Sequence, residues 1–300
     1  MTSTKTVAVI AHNKKTLGGG LAELRDVLNS HGVRDPLWFE VPKSSKVPAR
    51  IEQARKDGAE LFFVWGGDGT VQRSIDSMVG HKGTIAILPA GTANLLATNL
   101  CIPKDLPEAV RIGLYGEDRT IDVGRINGEH FAVMAGSGLD AFMIRDADRG
   151  LKDRFGRAAY VWTGARNVRH ELTPTTIRVD GHKWFEGGAG CVLVGNVSDI
   201  SAGITAFDNA SPDDGKLDLA VITASGAIQW ARALTRTVVG HADRSPLVQM
   251  TTATKIEVIT KRSLPYELDG GVRKKTNRLK IRVVPRAVTI RVPAPKPQKA

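Results

Sequence analysis

The sequence has 300 residues, 42% hydrophobic and 24% charged, the composition of an ordinary soluble globular chain, which excludes disorder, a collagen-like repeat and a disulfide scaffold. Its length predicts two domains. Forty-two Lys and Arg against 31 Asp and Glu give a formal charge of +11, which points to an anionic partner: nucleotide, nucleic acid or acidic membrane surface.

Up to residue 118, strand and helix signals alternate. A β-branched run at 6–10 predicts a strand; a loop rich in glycine (Gly18, Gly19, Gly20) follows, and 21–28 reads as an amphipathic helix closed near Gly32. A second strand is expected at 36–41 and a second helix at 48–56. The apolar run Leu61-Phe62-Phe63-Val64-Trp65 stops at Gly66-Gly67, as a buried parallel strand would. A helix at 71–79, a strand at 84–88 and helices at 95–100 and 106–114 complete a doubly wound α/β domain over residues 1–119. From Arg119 the rhythm changes. Strands are expected at 120–126, 130–135, 176–180, 190–195, 216–223, 255–260 and 279–284, with helices at 139–169 and 227–239. Residues 120–293 thus read as an antiparallel, β-rich second domain, its last strands free to return to the first, and 294–300 as a Pro/Lys-rich disordered tail.

The +11 is local. Residues 261–300 hold twelve basic side chains against Glu267 and Asp269, and the first 260 residues are nearly neutral. Cys101 and Cys191 stand far apart in apolar sequence, which fits a reduced intracellular protein, and no zinc pattern can be built from them. There is no secretory signal and no run near the roughly 20 apolar residues of a membrane span. A cytoplasmic chain is expected, peripheral at the inner face of the membrane.

The strongest chemical signal is Gly66-Gly67-Asp68-Gly69-Thr70 between a buried strand and a helix. Glycines there allow positive φ and close approach of N–H groups to an anion, and the helix N-terminus adds its dipole. Asp68 would repel a phosphate unless it binds Mg²⁺ or orients a loop. The bland alternative is a turn capped by Asp68 or Thr70. Pro89-Ala90-Gly91-Thr92-Ala93-Asn94 follows the next strand, so both loops leave the carboxyl edge of a parallel sheet. Thr92 and Asn94 either bond phosphate or adenine, or cap the next helix.

GGDGT followed by LPAGTANLLA resembles the catalytic domain of the diacylglycerol kinase and sphingosine kinase superfamily, in particular its bacterial soluble lipid kinases. The resemblance continues through Ile121-Asp122-Val123-Gly124, Gly136-Ser137-Gly138-Leu139-Asp140-Ala141, Pro212-Asp213-Asp214-Gly215-Lys216-Leu217-Asp218 and Glu267-Leu268-Asp269-Gly270, in order along nearly the whole chain. It implies an α/β nucleotide domain with a β-sandwich-like partner, and transfer of the γ-phosphate of ATP to a lipid hydroxyl with Mg²⁺. It implies that Gly66, Gly67, Asp68, Gly69 and Thr70 cradle the phosphates, with Gly91, Thr92 and Asn94 beside the nucleotide. Asp68 and Asp122 become metal-organising acids, and Asp214 with the carbonyls of Ser211 and Lys216 a structural Mg²⁺ site; a turn aspartate is the alternative for Asp214.

Phosphoryl transfer also asks for a carboxylate near the acceptor hydroxyl. Asp269 is the candidate, expected to stand as a lone carboxylate among Arg273, Lys274 and Lys275. Members of the family carry Asp-Gly-Glu here, with the glutamate as proton acceptor, whereas this chain has Gly271. Either Asp269 takes over that role or the chain is slow or inactive. The first loop departs as well: its glycines are displaced to 18–20, leaving open which lysine reaches the phosphates.

Three competitors are weighed. Gly136-x-Gly138-x-x-Ala141 fits a dinucleotide fingerprint but lacks a following βαβ unit. An NAD kinase shares GGDGT, but the LPAGTANLLA element favours the lipid enzymes. A non-catalytic binder of nucleic acid or anionic lipid could use the cations alternating at Arg278, Lys280 and Arg282; with Tyr266 alone after residue 260, stacking aromatics are missing, so the expected partner is an anionic membrane surface bearing the lipid substrate.

Overall fold

The structure, a computed structural model, describes residues 6–138, 172–201, 204–226, 229 and 245–294. The chain divides into two compact units, Met1–Ile121 with Arg286–Ala300, and Asp122–Pro285. The helices expected at 139–169 and 227–239 lie outside the described residues apart from position 229, as do Asp140 and residues 295–300 of the expected tail.

The first unit runs β1 (Val7–His12), α1 (Gly20–Ser30), β2 (Leu37–Val41), α2 (Val47–Lys56), β3 (Leu61–Gly66), α3 (Asp68–Met78), β4 (Thr84–Pro89), α4 (Leu95–Asn99), α5 (Leu106–Tyr115) and the start of β5 (Glu117–Ile126). Strands β2-β1-β3-β4 form a parallel sheet in that order. Every residue of β3 and β4 is buried, which is why these strands read as continuous apolar runs rather than alternating ones. Phe62, Phe63 and Trp65 are wholly enclosed, each contributing about 1.5–3 kcal/mol. The helices cover the sheet with apolar stripes: Leu24 and Leu28 on α1, Ile51 and Ala54 on α2, Val71, Ile75 and Met78 on α3. This order places the reversal of winding between β1 and β3, whose carboxyl ends open a crevice.

The second unit takes the rest of β5, then β6 (Glu129–Phe131), β7 (Met134–Gly138), β8 (Thr173–Val179), β9 (His182–Ala189), β10 (Cys191–Gly195), β11 (Asp199–Ser201), β12 (Ile204–Thr205), β13 (Leu217–Ile222), β14 (Val248–Ala253), β15 (Lys255–Leu264), β16 (Tyr266–Leu268), β17 (Gly271–Val272) and most of β18 (Thr276–Val292). One antiparallel layer is ordered β14-β13-β10-β7-β16-β17; in the other, β18, β15, β8 and β9 are neighbours in turn. Side chains alternate in and out along β8 and β15, and inward residues such as Ile177, Val192, Leu219, Val258 and Ile281 form a single core. Three two-residue hairpins share consecutive left-handed residues, Asn127-Gly128, Asp180-Gly181 and Asp269-Gly270, the type I′ geometry that Asn-Gly and Asp-Gly favour. Beyond Arg286, itself at φ 49°, β18 belongs to the first unit, where Thr289 and Ile290 pair in parallel with Thr84 and Ile85 of β4.

Two expectations are corrected here. The strand expected at 130–135 is two strands, broken where the N–H groups of Ala132 and Val133 turn to the Asp269 carboxylate. Gly136 and Gly138 belong to β7, an antiparallel strand between β10 and β16, which agrees with setting the dinucleotide fingerprint aside. Cys191 is buried but Cys101 is exposed.

Candidate active site

In the first unit β3 ends at Gly66 and α3 starts at Asp68, which puts the GGDGT loop at the carboxyl edge of the sheet. Gly66 and Gly67 answer a need for space, not for positive φ: Gly67 lies at φ −98°, and neither Gly66 nor Gly69 is left-handed. A Cβ on Gly66 would stand 2.5 Å from Thr70 Oγ1, and a Cβ on Gly67 3.1 Å from Gly91 Cα. The two loops are therefore packed backbone on backbone. Ala90 N–H donates to Gly66 O at 2.9 Å, a second tie between them.

Asp68 completes the junction. Its carboxylate accepts from Leu95 N at 2.6 Å and Asn94 N at 3.0 Å, so it caps α4 from the neighbouring loop; α3 itself has no side-chain cap. Burial pushes the Asp68 carboxyl up, against the opposing pull of the Leu95 and Asn94 N–H groups, its own N–H and the charge of Lys15. Thr70 is buried and donates its N–H to Gly67 O at 2.8 Å. Asn94, left-handed and buried, spends its side chain on its own loop: Oδ1 accepts from Gly91 N at 2.8 Å, and Nδ2 donates to Gly91 O at 2.9 Å. Thr92 and Gly69 are exposed. Lys15 belongs to the same neighbourhood, because its carbonyl accepts from Trp65 Nε1 at 3.0 Å and its charge acts on both Asp68 and His12. Exposed Gly69 and Thr92, a helix N-terminus and a nearby lysine make this edge suited to a phosphate chain.

The second unit gathers Asp122, Ser211, Asp214 and Lys216 at one turn. Asp122 is buried in β5; its N–H donates to Pro212 O at 2.5 Å and its Oδ2 accepts from Gly215 N at 2.6 Å. It thus fastens the 212–215 turn, a role that spacing does not reveal. Asp214 Oδ1 accepts from Lys216 N at 2.9 Å, and Ser211 Oγ donates to Asp213 Oδ1 at 2.7 Å. Asp218, to which the sequence assigned no role, stands on β13 with its carboxyl pushed up to about 6 by burial and by the charge of Asp214. A cation would relieve that repulsion, and the oxygen donors of Asp214, Ser211 and Lys216 are of the hard kind that suit Mg²⁺. Among the described residues no cluster of three or more His, Cys, Asp or Glu could hold a metal, so an ion here would need main-chain carbonyls and water beside the Asp214 carboxylate.

Asp269 is not a lone carboxylate among cations. It is 5% exposed, and both its oxygens are engaged: Ala132 N at 2.9 Å, Val133 N at 3.0 Å and Met134 N at 2.9 Å donate to it. Its own N–H donates to Met134 O at 3.0 Å. Arg273 instead pairs with Glu129 at 2.9 Å. Glu267, wholly buried, accepts from Gly270 N at 2.9 Å and braces the same hairpin. Three main-chain bonds hold the Asp269 carboxylate to the 132–134 segment, which ties any change in its charge to the placement of that segment.

The family model described as the diacylglycerol kinase catalytic domain matches residues 7–126, and the YegS C-terminal NAD kinase beta sandwich-like domain matches 133–292, more than half the chain. The chain belongs to the diacylglycerol kinase and YegS-type lipid kinase family. Among its relatives, the diacylglycerol kinase of Bacillus subtilis is 28% identical over 70% of this chain and 71% of its own. The probable YegS-like lipid kinase of Klebsiella pneumoniae is 29% identical over 81% of each. The fold of a putative diacylglycerol kinase from Bacillus anthracis superposes with a TM-score of 0.80 at 23% identity, covering 97% of this chain and 98% of that one. An NAD kinase from Archaeoglobus fulgidus shares the fold more distantly, with a TM-score of 0.54 at 11% identity, covering 95% of this chain and 93% of its own. Membership makes the chain a phosphotransferase of the lipid kinase type with a two-domain, NAD kinase-like fold. No helix among the described residues is long and apolar enough to cross a membrane.

Proposed function

We propose that this lipid kinase transfers the γ-phosphate of ATP to the hydroxyl of diacylglycerol or a related lipid. The observation that carries the reading is the junction of the GGDGT and GTAN loops, where Gly67 meets Gly91 and Asp68 caps α4. That junction leaves exposed Gly69 at the start of α3, exposed Thr92 and Lys15 to receive the phosphates, while Asn94 and Thr70 shape the loops. Mg²⁺, when bound, neutralises developing phosphate charge; Asp68 at the loops, and Asp214 with Ser211 and Lys216 at the second-unit turn, are the groups suited to hold it. Asp122 and Asp269 act through the segments they fasten, 212–215 and 132–134, and are positioning residues in this reading.

Labelled ATP offered with micelles of diacylglycerol, sphingoid base and phosphatidylglycerol, and with NAD in parallel, tests the proposal. Labelled lipid is expected. Labelled NADP without labelled lipid would move the chain to the second reading, an NAD kinase-like phosphotransferase, which the shared fold keeps open. No product, with intact ATP binding, would mark a catalytically impaired relative that binds anionic lipid, for which Gly271 is the motivating residue.

A further inference from the structure

We propose that the outer face of the β8–β15–β18 layer is a docking surface for the phosphate headgroups of an anionic bilayer. It deepens the lipid-kinase reading, on which it rests for its choice of partner. A trough of about 830 Å³ crosses this face, and its walls carry Arg125, Arg178, Lys255, Arg278, Lys280 and Arg282. The hairpin turn at Asn127-Gly128 closes one side, bonded to β18 through Asn127 N to Lys280 O at 3.2 Å and Lys280 N to Asn127 Oδ1 at 3.1 Å. Gly181 of the β8–β9 turn lines it as well.

The register makes this charge costly without a partner. Lys255 stands directly opposite Arg282, and like charges at such positions destabilise a sheet. Glu257 faces Lys280 on one side and Arg178 on the other, and Arg278 donates to its Oε1 from Nε at 2.8 Å and Nη2 at 2.5 Å. Among the residues lining the trough, Glu257 is the only carboxylate against six cations. Asp180 is committed elsewhere, its Oδ1 accepting from Thr254 N, Thr254 Oγ1 and Lys255 N.

The rest of the lining selects the anion. No Phe, Tyr or Trp is present, so bases have nothing to stack on. Ile259, 37% exposed, lies opposite Arg278 in the same trough, an apolar contact beside the cations that suits the boundary between headgroups and acyl chains. Aliphatic stems of the arginines and lysines extend that contact while their charged ends reach phosphate.

The experiment is co-sedimentation of the full chain with vesicles of phosphatidylcholine, alone or mixed with phosphatidylglycerol. Binding is expected only to the mixed vesicles. Lys255→Gln with Arg282→Gln should weaken it about thirtyfold, at about 1 kcal/mol per cation, without lowering the melting temperature, since it removes a repulsive pair. Lys82→Gln with Lys104→Gln alters net charge equally, away from the trough, and should leave binding nearly intact. Equal loss from both pairs, no loss from the first, or tighter binding to an oligonucleotide than to the mixed vesicles would overturn the proposal. Vesicle binding through this face by a chain that phosphorylates no lipid would sink the kinase reading and leave the docking surface standing.

Discussion

Gly91 and Gly67 meet with no room for a side chain between them: a Cβ on Gly91 would overlap Gly67 Cα and come within 2.7 Å of Asn94 Oδ1. Backbone cannot step aside as a flexible side chain can. Gly91→Ala is therefore expected to cost about 1–3 kcal/mol and to weaken ATP binding by spreading the loops. Thermal denaturation and nucleotide titration on one preparation check both.

Asp68→Ala removes the acceptor shared by Leu95 N and Asn94 N. The lost cap should cost about 1 kcal/mol, and turnover should fall on the order of 10²-fold or more. Asp68→Asn keeps one acceptor oxygen but turns an NH2 toward the other donor, so it should recover part of the stability and little of the rate. Equal turnover in all three proteins would reduce the motif to a turn.

Asp269→Asn leaves three main-chain donors with a single uncharged oxygen. A loss of about 1–3 kcal/mol in stability is expected, with turnover reduced and its pH profile unmoved, because in this reading the residue acts by holding 132–134. A displaced profile would return the proton-acceptor role to Asp269.

Gly271→Glu tests the missing glutamate. Gly271 is not left-handed, and its Cβ would meet Arg273 Nη1 at 2.7 Å and Leu268 O at 3.3 Å. The nearest obstacle is the tip of a long side chain, so the variant should fold once Arg273 swings away. A gain of 10-fold or more in turnover is expected; an unchanged rate would show that proton removal does not limit this enzyme.

Asp218 governs a pH dependence. Its carboxyl rises from about 3.8 unfolded to about 6 folded, so the folded state binds the extra proton in between. Stability from this group falls as pH climbs through that window, and the deficit is full above it. Asp218→Asn should melt higher than the parent near pH 7.5 and alike near pH 4, and added Mg²⁺ should narrow the gap at the higher pH. Calorimetry at the two pH values decides it.

The first unit was legible because its strands are buried on both faces and its helices carry apolar stripes; each element falls within a few residues of its pattern. The second unit was less so. HKWFEGGA of β9 holds two glycines and no alternation, and VQMTTA of β14 alternates only over its first four residues, too short a signal to mark a strand. At the site, motif and spacing located GGDGT, GTAN and the Asp-Gly hairpin. They could not distinguish Asp68 capping its own helix from Asp68 capping the next, nor reveal that main-chain donors surround Asp269, because those partners lie 26 and about 136 positions away.

The last strand has a consequence for biosynthesis. The sheet of the first unit takes its pairing partner for β4 from residues 289 and 290, so a ribosome must pass those residues, about 200 after β4, before that edge is covered. At roughly 5–20 residues per second the nascent first unit waits on the order of ten seconds or more with β4 open, a template for other strands. A fragment ending before Arg286 would keep that open edge permanently and should aggregate during expression, however complete its nucleotide loops.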